Sequence, residues 1–108
     1  MIKIGNFAVD FLSTFIRSSN MLIDPIMKYN EDKQEFERID KHSFIGSIDD
    51  TSVIHLEYID DNKIHINSKI LSNGIFELLR DELNKKFNDI NIKIYDENNR
   101  TCIDIEKN

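Results

Sequence analysis

Ile54-His55-Leu56-Glu57-Tyr58-Ile59-Asp60-Asp61-Asn62-Lys63-Ile64-His65-Ile66-Asn67 is the stretch that decides the fold. Ile54, Leu56 and Tyr58 alternate with His55 and Glu57. Past the link, Ile64, Ile66 and Ile70 alternate with Lys63, His65, Asn67 and Lys69. Successive side chains of an extended strand point to opposite faces, so this period marks two half-buried strands. Asp60-Asp61-Asn62 fits a three-residue hairpin loop with Asn62 in the left-handed conformation. Pairing Tyr58 with Ile64 and Leu56 with Ile66 sets Glu57 opposite His65 and His55 opposite Asn67.

A second hairpin closes the chain. Ile90, Ile92 and Ile94 precede a turn at Asn98-Asn99, and Ile103 and Ile105 follow it. That turn pairs Ile94 with Ile103 and Ile92 with Ile105, and sets Lys93 against Asp104 as an opposite-charge pair on the polar side. Between the hairpins, Ser72-Asn73-Gly74 opens a helix at 74–88. Phe76, Leu79, Leu83 and Phe87 face inward, Glu77, Arg80, Glu82 and Lys85 face outward, and Lys85 and Lys86 suit the negative end of the helix dipole.

Upstream, Phe44-Ile45-Gly46-Ser47-Ile48 reads as a strand with a bulge at Gly46, followed by a turn at Asp49-Asp50-Thr51. Asn6 caps a first helix carrying Phe7, Phe11, Leu12, Phe15 and Ile16 at helical spacing, with Asp10 and Arg17 at favourable ends and Ser18-Ser19-Asn20 as its stop. Asp24-Pro25 reads as the cap and first residue of a short second helix reaching Tyr29. Asn30-Glu31-Asp32-Lys33-Gln34 is a surface loop or an extension of that helix. The expectation is one α+β domain over 1–108, in the order α-α-β-β-β-α-β-β. Its antiparallel or mixed sheet has about five strands with helices on one face, and the 74–88 helix is the crossover that would make part of it mixed.

The chain has 108 residues, 12.7 kDa, with 14 Lys+Arg against 20 Asp+Glu and a formal charge of -6. Folding at this size buries roughly two-thirds of the extended-chain surface, enough for a core without disulfides or a structural metal. Charge is spread evenly, with no basic arm and no acidic tail, which argues against phosphate-backbone binding and favours a basic protein partner. The first ten residues make a poor signal peptide because Asp10 interrupts the apolar run, and no stretch approaches the length of a membrane span. A lone Cys102 forms no intrachain disulfide, in keeping with a reducing cytoplasm.

The hairpin register gathers His55, Glu57, His65 and Lys69 on the polar face. Two imidazoles and an amine are the means of acid-base chemistry on a phosphodiester, and two imidazoles with a carboxylate are a metal-ligand set. A solvated sheet face carries such residues anyway. The chain also lacks a P-loop, G-x-G-x-x-G, G-x-S-x-G, C-x-x-C and H-E-x-x-H. The expectation is a binding protein without cofactor or metal, with Cys102 an idle thiol and the Phe7/Phe11/Phe15 and Phe76/Leu79/Leu83 stripes in the core. Acidic pairs recur at the turns. Asp49, Asp50, Glu57, Asp60 and Asp61 are the carboxylates placed to grip Lys or Arg of a basic partner. Glu31, Asp32, Glu35 and Glu37 read as a solvated block.

A short acidic single-domain chain, rich in Ile, Asn and Lys and free of catalytic motifs, resembles the immunity proteins of bacterial contact-dependent growth inhibition systems. The resemblance implies a cytosolic inhibitor of a cognate toxin domain, often a nuclease, and assigns no residues. An acidic surface suits that role, since a nuclease site must be basic to hold phosphates. Three other readings stand beside it: a small ribonuclease using His55, His65 and Lys69, a phage-type inhibitor of a host defence protein, and a homodimer joined along an exposed edge strand.

Overall fold

The computed structural model describes residues 3–16, 21–60 and 62–108. Helix α1 spans Lys3–Ser13 and runs into a single 3-10 turn at Thr14–Ile16. Eight strands follow in two groups around helix α2, Asn73–Lys86: β1 (Leu22–Pro25), β2 (Met27–Asn30), β3 (Glu35–Arg38), β4 (Ser43–Ile48), β5 (Thr51–Asp60), β6 (Lys63–Ser68), and then β7 (Ile90–Glu97) and β8 (Arg100–Lys107). The fold is α+β. A six-stranded sheet runs β1-β4-β5-β6-β8-β7, and β2-β3 form a separate two-stranded sheet.

Alternation fixed the registers. Leu56 pairs Ile66, Tyr58 pairs Ile64, Glu57 pairs His65 and His55 pairs Asn67. In the closing hairpin Ile94 pairs Ile103 and Ile92 pairs Ile105 around a two-residue turn, where Asn98 and Asn99 take φ of 52° and 61°. Positive φ at both positions is what a tight hairpin needs, and asparagine tolerates it. The β4–β5 register slips between Gly46 and Ser47, the bulge expected at that glycine. A Cβ on Gly46 would come within 2.6 Å of Ile54 Cγ1 and Met21 Sδ, so no larger residue fits without displacing them.

Both helices lie on the inner face. Ile54, Leu56, Ile66, Ile103 and Ile105 of the sheet meet Leu12 of α1 and Phe76, Leu79 and Leu83 of α2 in one buried core. Ser68 turns the chain onto that face. Its buried hydroxyl donates to the Val53 carbonyl at 2.8 Å and accepts the N–H groups of Ile70 and Leu71 at 3.1 and 3.2 Å. Phe7 and Phe11 pack half-buried against the core, whereas Phe15 at the end of the stripe is exposed.

Four expectations need correction. Asp24-Pro25 opens no helix, because residues 22–25 pair with β4 as an edge strand. Proline is tolerated there, since an edge strand leaves half of its N–H groups unused. Asn6 lies inside α1 rather than capping it. The main sheet has six strands rather than about five. Nor is it mixed, although α2 is a crossover: it joins β6 to β7, which run parallel, but β8 lies between them and pairs antiparallel with both. The expected stop at Ser18-Ser19-Asn20 and Asp61 of the β5–β6 loop lie outside the described residues, as does the Asp61 atom that defines φ of Asn62.

Tyr58 is a local conflict in the inner layer. Its ring packs edge-on against Phe44, with centroids 5.4 Å apart, yet its buried hydroxyl finds no hydrogen-bond partner among the described residues. Burial accordingly pushes the phenol pKa up. A buried hydroxyl without a partner costs about 1–2 kcal/mol, so Tyr58→Phe is expected to raise unfolding stability by about 1 kcal/mol in a urea titration. A loss of stability would place an unseen partner on that oxygen.

Candidate functional site

The outer face of the sheet carries most of the polar residues. A hydrogen-bonded chain crosses β7, β8 and β6 there. Arg100 Nη1 donates to Asn67 Oδ1 at 2.9 Å, and this fixes the amide so that Asn67 Nδ2 faces His65 Nε2 at 3.1 Å. That nitrogen must therefore accept, which leaves the proton on Nδ1 to be donated to Asp104 Oδ1 at 2.5 Å. The Tyr95 hydroxyl lies 3.5 Å from the same Nδ1, and burial, with its bond to Asp104, drives the phenol pKa up. Both ring nitrogens of His65 are thus occupied by neighbours and hold no lone pair open to a substrate.

One expectation about this face changes accordingly. Lys93 sits opposite Asp104 as the register requires, but the aspartate takes His65 and the lysine ammonium lies over the Tyr95 ring, 5.2 Å from its centroid. His55 sits beside Asn67, and burial, then the Arg100 charge, hold its pKa below the ordinary value. Among the described residues no three His, Cys, Asp or Glu side chains converge at metal-binding geometry. Cys102 is buried, and burial, then the charge of Glu97, raise its thiol pKa, which keeps it protonated and unreactive.

The depressed His55 pKa has a sign. The unfolded chain binds the extra proton first as pH falls through about 6.5, so stability declines on the acid side of that value and is regained above it. His55→Gln is expected to flatten this part of the melting-temperature profile between about pH 5 and 7. An unchanged slope would assign it to another group.

The structure splits the four described members of the five expected partner-binding carboxylates, Asp61 lying outside the described residues. Asp49 and Asp50 form the β4–β5 turn with φ of 49° and 64°. Asp60 stands at the far end of β5, about 30 Å away along the ten-residue strand. Its Oδ1 accepts the Asn62 N–H at 2.7 Å, so half of that carboxylate serves the turn. Glu57 projects from the outer face between them, opposite Ser43 and His65. Among the described residues, one compact patch therefore holds at most Glu57 and Asp60 of these carboxylates, with Asp49 and Asp50 at the opposite end.

What sits beside Asp60 is the feature that the sequence reading missed. The β2-β3 hairpin leaves the sheet between β1 and β4. The Ile26 N–H bonds to the Ser43 carbonyl at 3.0 Å, the Ile39 N–H to the Ile26 carbonyl at 3.0 Å, and the Tyr58 N–H to the His42 carbonyl at 2.9 Å. The hairpin base is therefore fastened at the Tyr58–Asp60 end of β5. Asp40 secures the return, accepting the N–H groups of His42 and Ser43 and the Ser43 hydroxyl at 2.7, 2.7 and 2.8 Å. The His42 bond above all lowers its pKa.

One face of the hairpin presents Met27 and Tyr29 of β2 beside Phe36 and Arg38 of β3. Tyr29 and Phe36 are directly cross-strand, edge to face at 5.1 Å, yet 51% and 68% exposed. Met27, Ile39 and Ile59 nearby are exposed as well. Glu31 and Asp32 stand at the hairpin tip and Glu35 lies on its opposite face beside Asn30; none of the three forms an ion pair among the described residues, whereas Glu37 is shared with Lys33 at 4.0 Å. The hairpin turn itself is local: Asn30 Oδ1 accepts the N–H groups of Asp32 and Lys33 at 3.0 and 3.2 Å. Alternation in Met27-Lys28-Tyr29 and Glu35-Phe36-Glu37 was the available signal, masked by the helix-start pattern of Asp24-Pro25.

No helix of the described residues is long and apolar enough to cross a membrane. No family model, curated protein or solved structure matches this chain, so its hairpin end and outer face carry the functional reading on their own chemistry.

Proposed function

We propose that this protein is an immunity-type inhibitor that binds and neutralises a basic toxin domain, a nuclease, acting in the cytoplasm without a cofactor. The observation that carries the reading is the hairpin end: an exposed Tyr29–Phe36 pair near Glu31 and Asp32, which form no ion pair among the described residues, with Asp60 near its base. Buried aromatic anchors supply most of the energy of protein association, and a surrounding rim of charge supplies encounter rate and partner choice. Glu31, Asp32, Glu35, Glu57 and Asp60 are the steering charges in this account, and Asp61 continues the same loop in sequence. Asp49 and Asp50 contribute only to a long-range field. The occupied nitrogens of His65 weigh against its use as a proton-transfer group.

Co-expression tests this directly. The C-terminal domain of the polypeptide encoded immediately upstream is expected to arrest growth alone and to be tolerated when this chain is made with it. Continued arrest with both proteins present at equal level overturns the inhibitor reading. Purified protein incubated with RNA should give no cleavage above that of His55→Ala with His65→Ala. Cleavage lost in that double variant would instead establish an enzyme.

A further inference from the structure

The two edges of the main sheet are not alike. β1 offers four residues and ends in Pro25, which has no N–H. β7 offers eight residues, contains no proline and pairs with β8 through eight unbroken positions without a bulge. A long, regular edge is a template for another strand, and folded chains normally blunt such edges.

The geometry specifies which groups that edge exposes. The Asn108 N–H bonds to the Asp89 carbonyl at 2.7 Å, and the Asn98-Asn99 turn closes on the Glu97–Arg100 pair. Hydrogen-bonded positions alternate along an antiparallel pair, so Asn91, Lys93, Tyr95 and Glu97 aim their backbone groups at β8. Ile90, Ile92, Ile94 and Asp96 aim theirs at open solvent. Ile90, Ile92 and Ile94 also lie on the inner apolar face, at the rim of the core and only partly buried.

We infer that β7 pairs antiparallel with β7 of a second copy of this chain across a two-fold axis at Ile92, joining the two sheets into one. Four neighbouring symmetric registers, centred on Asn91, Ile92, Lys93 and Ile94, bring the free backbone groups together, and the one centred on Asn91 sets Ile94 against Asn88, outside the strand. Ile92 against Ile94 of the second copy sets Lys93 against its own symmetry mate, and like charges directly opposite repel. A two-fold at Ile94 sets Ile92 against the carboxylate of Asp96 on the apolar face. The register centred on Ile92 alone stacks isoleucine on isoleucine at all three positions, Ile90 on Ile94, Ile92 on Ile92 and Ile94 on Ile90. On the outer face it places Asn91 beside Lys93, with no charge clash. The six free N–H and C=O pairs of these isoleucines then bond reciprocally, as an isologous interface requires. The β2-β3 hairpin is fastened at the ends of β1, β4 and β5, on the other side of the strand order from β7, so pairing through β7 leaves it open.

Sedimentation equilibrium with amide exchange tests this without reference to any other partner. The chain is expected to sediment at twice 12.7 kDa as concentration rises, and the Ile92 amide to gain protection in step. Asn91 is exposed, pairs across the strands with Glu106, and its one side-chain hydrogen bond among the described residues is to Asn108, so changing it removes no buried contact of the protomer. Asn91→Lys sets lysine against Lys93 twice per dimer and should raise the dimer Kd about tenfold, while Asn91→Asp should lower it by a similar factor. A chain that stays monomeric to about 1 mM overturns the inference. So does a dimer whose Ile92 amide exchanges freely, or one indifferent to both Asn91 variants.

Discussion

Tyr29→Ala combined with Phe36→Ala is expected to abolish neutralisation of the toxin domain while leaving the fold in place. Each ring is more than half exposed, so its loss removes little burial in the free protein, and surface changes of this kind shift stability by about 0.5 kcal/mol or less. In a complex the same rings would be fully desolvated. Truncating a central aromatic anchor costs about 2 kcal/mol or more, so two together weaken association on the order of a thousandfold. The loss should appear as faster dissociation. Glu31→Lys with Asp32→Lys and Glu35→Lys should act differently, slowing association and reversing its salt dependence with a smaller change in dissociation. Stopped-flow association and dissociation rates separate the two sets. Equal effects on both rates from both sets would mean that the hairpin has no division between anchor and rim.

Phe76→Ala produces the largest loss of stability. Its ring is wholly buried where α2 meets the sheet, and it is among the largest fully buried side chains of the core. Truncating a buried phenylalanine costs about 3–5 kcal/mol through lost transfer energy and the cavity left behind. In a domain of this size that lowers the melting temperature by about 15 °C or more. Leu78→Ala, two residues along the same helix but half exposed, should change it by about 0.5 kcal/mol or less. Similar losses in the two variants would mean that α2 is not seated as described.

How far the sequence reached can be seen strand by strand. β5, β6, β7 and β8 were legible to the residue pair because period-two alternation and hairpin-loop chemistry constrain register independently. β1 and β2 were not. Asp-Pro is equally a helix start and the end of an edge strand, and only pairing with β4 decides between them. Placement of β8 beside β6 follows from the whole topology, so the His65–Asp104 bond was invisible while the within-hairpin Lys93–Asp104 pairing was not. Of the candidate carboxylates, all but Asp61 were placed at turns or on the outer face as expected. Their separation follows from the length of β5, since a strand rising about 3.3 Å per residue holds the two ends of ten residues about 30 Å apart, and grouping them as one site overlooked that distance. The Tyr29–Phe36 face was missed for the same reason as β2.

The most direct measurement is a binding titration of the purified chain and its Tyr29→Ala/Phe36→Ala variant against the purified domain encoded immediately upstream, at about 50 and 500 mM salt. The account predicts tight association by the native chain, an on-rate that falls as salt rises, and dissociation on the order of a thousandfold faster in the variant. Absence of association by the native chain, or association unaffected by both salt and the loss of the two rings, would contradict it.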